Sequence, residues 1–262
     1  MKYKNKKILV TGGAKGIGKA LVEEFIKRDA THIAILGRTL EPMTAFAKEY
    51  PKIKWLIIQG DLGKPADIRQ SIDKITDEWG ALDILVNNAG VVSASALDEQ
   101  EDEDIINQIN INVTGLILMT QKALPLLKKS KEGAIINLSS GLGYIARPFY
   151  SVYAASKAAV RQFSDAMRRE LITSNLHVMT IYPTATDTPM MKSIERDGMD
   201  DPKKVAKNSL DGLENGQINV IFGGSQRFKD IMLNFNDPQG MDEKLTSNYE
   251  ADKEKTKNHR AM

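Results

Sequence analysis

Eight residues near the start of the chain limit its possible folds more than any other stretch. Thr11-Gly12-Gly13-Ala14-Lys15-Gly16-Ile17-Gly18 closes an apolar run, Lys7–Thr11, and opens a segment rich in Ala, Leu and Glu. Glycine at this density frees the backbone to turn sharply, so a strand passes into a helix within a few residues. Six more apolar runs of strand length follow, at 33–36, 53–59, 84–87, 134–138, 177–182 and 219–222. Each is bounded by Gly, Asp, Asn or Pro. None alternates polar with apolar residues, which is the pattern of strands buried on both faces of a parallel sheet. Between them, apolar residues recur three and four apart. Val152, Ala155, Ala159, Phe163, Ala166 and Met167 form one such stripe, and Ile105, Ile109, Val113, Leu116, Ile117 and Leu124 another. This alternation predicts an α/β fold, a doubly wound parallel sheet of about seven strands with helices on both faces.

No Gly/Ser linker or break in composition divides the 262 residues. One domain is therefore expected over 1–240. Residues 241–262, with five acidic and five basic side chains, are expected as a charged tail or exposed helix, lying on a partner subunit. The chain has no cysteine, which excludes disulfides, thiolate nucleophiles and Cys-ligated metals. Its three histidines, His32, His177 and His259, form no ligand-spaced pair, and no metal site is expected. Lys plus Arg total 36 against 34 Asp plus Glu. That balance argues against bulk affinity for nucleic acid or an anionic membrane. The apolar run at 8–10 is far shorter than the roughly 7–15 residues of a secretory core. No window approaches the roughly 18 apolar residues of a membrane span, so a cytoplasmic setting is expected.

The glycine loop has the physics of a dinucleotide site. Its glycines let the backbone approach a pyrophosphate, and the helix that follows offers free N–H groups and a positive dipole end. The spacing is G-x-x-x-G-x-G, over Gly12, Gly16 and Gly18. NAD sites usually carry Asp or Glu after the second strand to bind the ribose 2′-hydroxyl. Here the strand ends Leu36-Gly37-Arg38, and Lys15 adds a second cation inside the loop. Two cations and no acid favour a 2′-phosphate, hence NADP over NAD.

Tyr153 and Lys157 stand four apart, on one face of a helix. A nearby ammonium favours the phenolate, which brings a tyrosine toward use as an acid or base near neutral pH. Tyr3/Lys7, Tyr50/Lys54 and Tyr249/Lys253 share the spacing. Only Tyr153 has a strand ending in Asn137-Leu138-Ser139-Ser140 thirteen residues upstream, at the sheet edge where such folds bind ligands. Either Ser139 or Ser140 supplies the hydroxyl.

With these motifs in this order, the chain resembles the short-chain dehydrogenase/reductase family in its roughly 250-residue form. The resemblance runs from about Lys7 to Phe222. It rests on 11–18, Asp61-Leu62, Asn87-Asn88-Ala89-Gly90, Asn112, Ser140, Tyr153 with Lys157, and Pro183 with Thr188. It implies an NADP-dependent oxidoreductase acting between the nicotinamide and a carbonyl or secondary alcohol. By this resemblance Tyr153 is the acid in reduction and the base in oxidation. Ser140, favoured over Ser139 by family spacing, steadies the substrate oxygen. Lys157 binds the nicotinamide ribose and lowers the Tyr153 pKa, and Asn112 holds a water that relays protons from Lys157. Gly12, Lys15, Gly16, Ile17, Gly18, Arg38, Asp61, Leu62, Asn88, Ala89, Gly90, Pro183 and Thr188 would line the cofactor.

One departure stands out: Pro183-Thr184 replaces the family's usual Pro-Gly, so a side chain is expected to narrow the space beside the nicotinamide. Residues 189–216, bearing Met190, Met191, Ile194 and Met199, are expected as lid and substrate wall. Methionines suit an adaptable apolar pocket. The long helices near 103–129 and 152–174 are expected to pair across a two-fold axis in a homodimer or homotetramer. Two rival readings are an epimerase or dehydratase on the same scaffold, whose relatives have longer C-terminal domains, and a nucleotide-sensing scaffold, which retention of Tyr153 and Lys157 disfavours.

Overall fold

The seven runs read as strands come together in one parallel sheet. The computed structural model describes residues 1–194 and 198–262. Its first half holds β1 (Lys7–Thr11), α1 (Gly16–Lys27), β2 (His32–Gly37), α2 (Leu40–Glu49), β3 (Lys54–Gln59), α3 (Pro65–Trp79) and β4 (Ile84–Asn87). A two-residue strand, β5 (Val92–Ser93), is followed by α4 (Asp102–Ile109), a π-helical turn over Asn110–Gly115, and α5 (Leu116–Leu127). Next come β6 (Gly133–Leu138), α6 (Ser151–Glu170), β7 (Leu176–Tyr182), α7 (Pro202–Glu214) and β8 (Asn219–Ile221). The chain ends with α8 (Gly224–Asn236), α9 (Pro238–Thr246), α10 (Tyr249–Thr256) and β9 (Arg260–Ala261). The sheet runs β3-β2-β1-β4-β6-β7-β8, every pair parallel. Its order reverses between β1 and β4, which opens a crevice at the strands' C-terminal ends.

Successive residues of each strand enter opposite cores. Ile8 and Val10 pack with Leu21 and Phe25 of α1, Phe46 of α2 and Leu210 of α7. Leu9 packs on the other side with Ile72 of α3, Met119 of α5 and Met167 of α6. Each side chain buried in this way stabilises the fold by roughly 1.5–3 kcal/mol. A polar seam crosses the second layer at the strand ends. Asn87 donates to Asn137 Oδ1 at 2.8 Å and to Thr120 at 2.9 Å, and Asn137 donates to Ser164 at 2.9 Å. It ties β4, β6, α5 and α6 together directly beneath the site. No helix among the described residues is long and apolar enough to cross a membrane.

Three expectations change. The stripe of α6 holds in part: Val152 and Met167 are buried and Phe163 packs on the core, but Ala155 and Ala166 are exposed, and the buried face also carries Ser156, Lys157, Val160 and Ser164. Polar residues occupy that face because they hydrogen-bond into the site and seam, where an apolar pattern cannot register them. The stretch 189–216 divides. Pro189–Met191 forms a short turn at the crevice, residues 195–197 lie outside those described, and α7 buries Val205, Ala206 and Leu210 against the sheet. Finally, 241–262 takes the exposed-helix form of its two expectations and adds a strand that the sequence did not suggest. Two mostly exposed helices lead to β9, which pairs antiparallel with β5 (Val92↔Ala261, Ser93↔Arg260). Arg260 grips Asp104 through Nε and Nη2, at 2.8 and 3.0 Å. The segment thus closes on its own chain.

Candidate active site

The glycine loop is built for close approach. Gly12 (φ +66°) and Gly16 (φ +52°) occupy the left-handed region that side chains disfavour. A Cβ at Gly18 would overlap the Gly12 carbonyl oxygen and Asn88 Nδ2. Thr11 Oγ1 accepts from the backbone N–H groups of Asn88 and Ala89, both at 3.0 Å. Asn88 Nδ2 donates to Thr11 O at 2.9 Å and Gly12 O at 3.2 Å. The loop after β1 and the loop after β4 therefore hold each other in place, with Ile17 in the first turn of α1 beside them.

A cavity of about 1190 Å³ runs along these loops. That exceeds the roughly 300–1,000 Å³ of an ordinary small-ligand pocket and leaves room for a dinucleotide with a second molecule. Lys15, Gly37, Arg38, Asp61 and Leu62 line one end, Asn88, Ala89, Gly90, Pro183 and Thr188 the middle, and Ser140, Tyr153 and Lys157 the other end. The glycine cradle, the exposed cations and the cavity's extent fit a phosphorylated dinucleotide. Individual residues differ in how they take part. Asp61 Oδ1 accepts from Gly63 N at 2.9 Å, shaping its own turn, and Leu62 is largely core. Arg38 is exposed at the end of β2 and donates through Nη2 to Met262 O at 2.8 Å. Thr188 lies over Gly16, where an added Cβ would come within 3.2 Å of its methyl group.

At the far end, Tyr153 and Ser140 are hydrogen-bonded neighbours. Ser139 is buried and donates to Lys157 O at 2.8 Å, holding α6 to the end of β6, whereas Ser140 faces Tyr153. Lys157 is 4% exposed, donates to Leu138 O at 3.0 Å, and has its Nζ 5.6 Å from the centre of the Tyr153 ring. Burial pushes the Lys157 pKa down to about 8. Burial likewise pushes Tyr153 up to about 12, while the Ser140 hydroxyl pulls it the other way. Desolvation dominates, Ser140 rather than Lys157 is the group that lowers Tyr153 here, and the phenol holds its proton at neutral pH. The three tyrosines of like spacing are elsewhere. Tyr3 packs edge-on against Phe25, Tyr50 against Phe46, and Tyr249 against Phe149.

Asn112 sits in the π-helical turn, 1% exposed. Its Oδ1 accepts from Val91 N at 2.8 Å, and its Nδ2 donates to Val91 O at 2.9 Å and Ser156 Oγ at 3.1 Å. Both amide hydrogens are used, so this side chain clamps the strand after Gly90 to α6. Ser156, which also donates to Tyr153 O at 2.7 Å, carried no sequence signal. Thr184 does more than narrow the pocket: its hydroxyl donates to Asp200, which anchors the base of the segment around Thr186. Sequence reasoning also missed His259, which bridges Tyr150 Oη at 2.8 Å and Met190 O at 3.0 Å, and the arginines Arg147 and Arg227 in the cavity wall. No local spacing joins these residues.

The chain matches a family model described as short chain dehydrogenase across residues 6–198. It is 30% identical over 236 residues to a 3-oxoacyl-[acyl-carrier-protein] reductase of Thermotoga maritima, covering 89% of this chain and 91% of that one. A short-chain dehydrogenase from Sphingobium yanoikuyae, solved in complex with NADPH, superposes with a TM-score of 0.78 at 25% identity, covering 93% of this chain and 96% of that one. One from Burkholderia phymatum, in complex with NAD, shares the fold at a TM-score of 0.83 and 16% identity, covering 91% and 96%. With the glycine loop, the strand order and this match in agreement, the chain belongs to the short-chain dehydrogenase family.

Proposed function

We propose that this oxidoreductase uses NADP(H) to interconvert a carbonyl group and a secondary alcohol. The observation that carries the reading is the meeting of Ser140, Tyr153 and Lys157 at one end of the cavity that begins at the glycine loop. The bound nicotinamide would accept or supply the hydride. Ser140 donates to the carbonyl oxygen and stabilises the negative charge that grows on it. Tyr153, protonated at neutral pH, gives its proton to that oxygen. Lys157, still charged at pH 7, then favours the phenolate left behind. In oxidation the same phenolate takes the proton back. Asn112 and Ser156 act as positioning residues, through Val91 and Tyr153 O.

At the adenosine end, Lys15 and Arg38 would bind the 2′-phosphate. The NADPH complex of the Sphingobium relative supports this choice, and the NAD complex of the Burkholderia neighbour keeps NAD as the alternative. Ile106 and Ile109 are 57% and 38% exposed on α4, apolar surface that fits helix-to-helix pairing of subunits.

The reading is tested by following NADPH oxidation at 340 nm against a panel of aldehydes and ketones. Tyr153→Phe removes the proton donor and keeps the ring. The chemical step is expected to slow by roughly 10²–10⁴-fold, the usual scale for a general acid, while NADPH fluorescence shows binding retained. Full activity in Tyr153→Phe refutes the assignment.

A further inference from the structure

We infer that the substrate carries a carboxylate, bound by Arg227 and Arg147 a short distance from the carbonyl that Ser140 and Tyr153 receive. The inference rests on the reading of Ser140 and Tyr153 as the reacting end of the cavity.

Two glycines seat the guanidinium of Arg227, in the first turn of α8. A Cβ on Gly141 would lie 3.0 Å from its Cζ and Nη2 and 3.2 Å from Nη1. A Cβ on Gly223 (φ +100°) would lie 3.1 Å from its Cβ and 3.3 Å from its Nε. Gly141 directly follows Ser140, so the cation packs against the residue next to the proposed hydroxyl donor. Arg147, on the loop between β6 and α6, lines the same cavity and lies near enough for its charge to act against that of Arg227. Asp230, the nearby acid, is engaged by Lys244 at 2.6 Å and Gln226 at 2.8 Å. Among the described residues neither arginine forms an ion pair with a carboxylate.

Asp230 offsets part of the Arg227 charge but is shared with Lys244, which leaves the half-buried Arg227 and the exposed Arg147 with guanidinium donors to offer beside the proposed reacting centre. Their fork of donors matches a carboxylate in geometry and charge. Leu142, Ile145 and Phe222 line the cavity near them, which suits a short aliphatic chain between acid and carbonyl. The substrate class is therefore an oxo acid or the corresponding hydroxy acid, rather than a neutral ketone.

The test compares levulinate, 5-oxohexanoate and 6-oxoheptanoate with their methyl esters, by kcat/KM with NADPH. A charged hydrogen bond contributes roughly 1.5–3 kcal/mol, so at the best chain length the acid should exceed its ester by about 10–100-fold. Arg227→Gln should lower that ratio at least about tenfold, chiefly through KM of the acid. Arg147→Gln, on the exposed loop, should lower it in the same direction and serves if Arg227→Gln does not fold. Lys229→Gln, an exposed charge on α8, should leave the ratio unchanged. Equal use of acid and ester at all three lengths by wild type overturns the inference, as does a ratio that survives both arginine substitutions. Calorimetric titration of levulinate into the enzyme with oxidised NADP reads binding without turnover. If no carbonyl is reduced but levulinate binds wild type and not Arg227→Gln, the anion site stands and the assigned reaction fails. If the esters are reduced and levulinate does not bind, the reaction stands and the anion site fails.

Discussion

Replacing Lys157 with methionine should make the protein more stable and almost inactive. Lys157 is buried, and among the described residues it forms no ion pair with a carboxylate. Desolvation takes its pKa from 10.5 to about 8. Each pH unit of displacement is worth about 1.4 kcal/mol, so holding the charged form in the fold at pH 7 costs on the order of 3 kcal/mol. Methionine fills a similar volume without charge. It gives up the bond from Nζ to Leu138 O, worth about 1 kcal/mol. The net gain is on the order of 2 kcal/mol, or roughly 4 °C in Tm for a chain of this size. Activity should fall by at least about 10²-fold, because the cation that favours the Tyr153 phenolate is gone. A residue that destabilises the fold while serving the chemistry is the usual trade between stability and activity.

The pH dependence separates this account from a packing effect. Because the folded-state pKa is lowered, the unfolded chain binds more protons between about pH 8 and 10.5. Wild type therefore carries its full deficit below about pH 8 and loses it as the pH rises toward 10.5. Thermal melts of both proteins without cofactor, at pH 7 to 10, should show the advantage of Lys157→Met largest at pH 7 and shrinking above pH 8. A variant less stable than wild type at pH 7, or an advantage independent of pH, would refute the reasoning.

Three further outcomes are expected. Arg38→Ala should weaken NADPH by about 10–100-fold with NADH little changed. Adding Gly37→Asp, whose Cβ meets only the flexible Met43 Sδ at 3.2 Å, should turn preference to NADH; equal affinity of wild type for both cofactors in fluorescence titration would sink the role of Arg38. Gly18→Ala should lower stability by about 1–3 kcal/mol or more and abolish dinucleotide binding, since its methyl group displaces Asn88 from the loop; a normal melt with normal binding contradicts this. Burial holds His259 below its ordinary pKa, so the stability its neutral form gives the C-terminal return is present above about pH 6.5 and lost as pH falls below it. Hydrogen exchange at 257–262 should be slower at pH 7.5 than at pH 5 once corrected for intrinsic rates, and equal protection would dismiss His259 as the latch.

The strands were readable because each needs only its own residues to show burial on both faces. All seven expected runs begin within one residue of the observed strand. The glycine loop was readable for the same reason: Gly12, Gly16 and Gly18 answer to a local turn. What stayed hidden depends on distant partners. β5 and β9 have two residues each and pair across more than 160 positions, in a segment whose composition is that of a solvated surface. The polar part of the buried face of α6 was not legible because Ser156, Lys157 and Ser164 turn inward to bond Asn112, Leu138 and Asn137. An apolar stripe looks only for what avoids water, and these residues are buried because protein replaces it.

Thr184 shows how one such departure joins two ends of the site. From sequence, a side chain in place of glycine reads as an obstruction beside the nicotinamide. In the structure its hydroxyl bonds Asp200, which also accepts from Lys204 at 3.2 Å, while its methyl group lies against Gly223, with 3.5 Å to an added Cβ there. Gly223 is one of the two glycines that make room for Arg227. Thr184 therefore fixes the base of the segment beyond β7 and, with the same side chain, borders the slot that holds the arginine. If Arg227 reads the substrate's carboxylate, Thr184→Gly loosens both the wall and the reader. Its effect should then fall on the acid-to-ester ratio and on KM, ahead of any change in the rate of proton transfer from Tyr153, which stands on the separate support of Ser140 and α6.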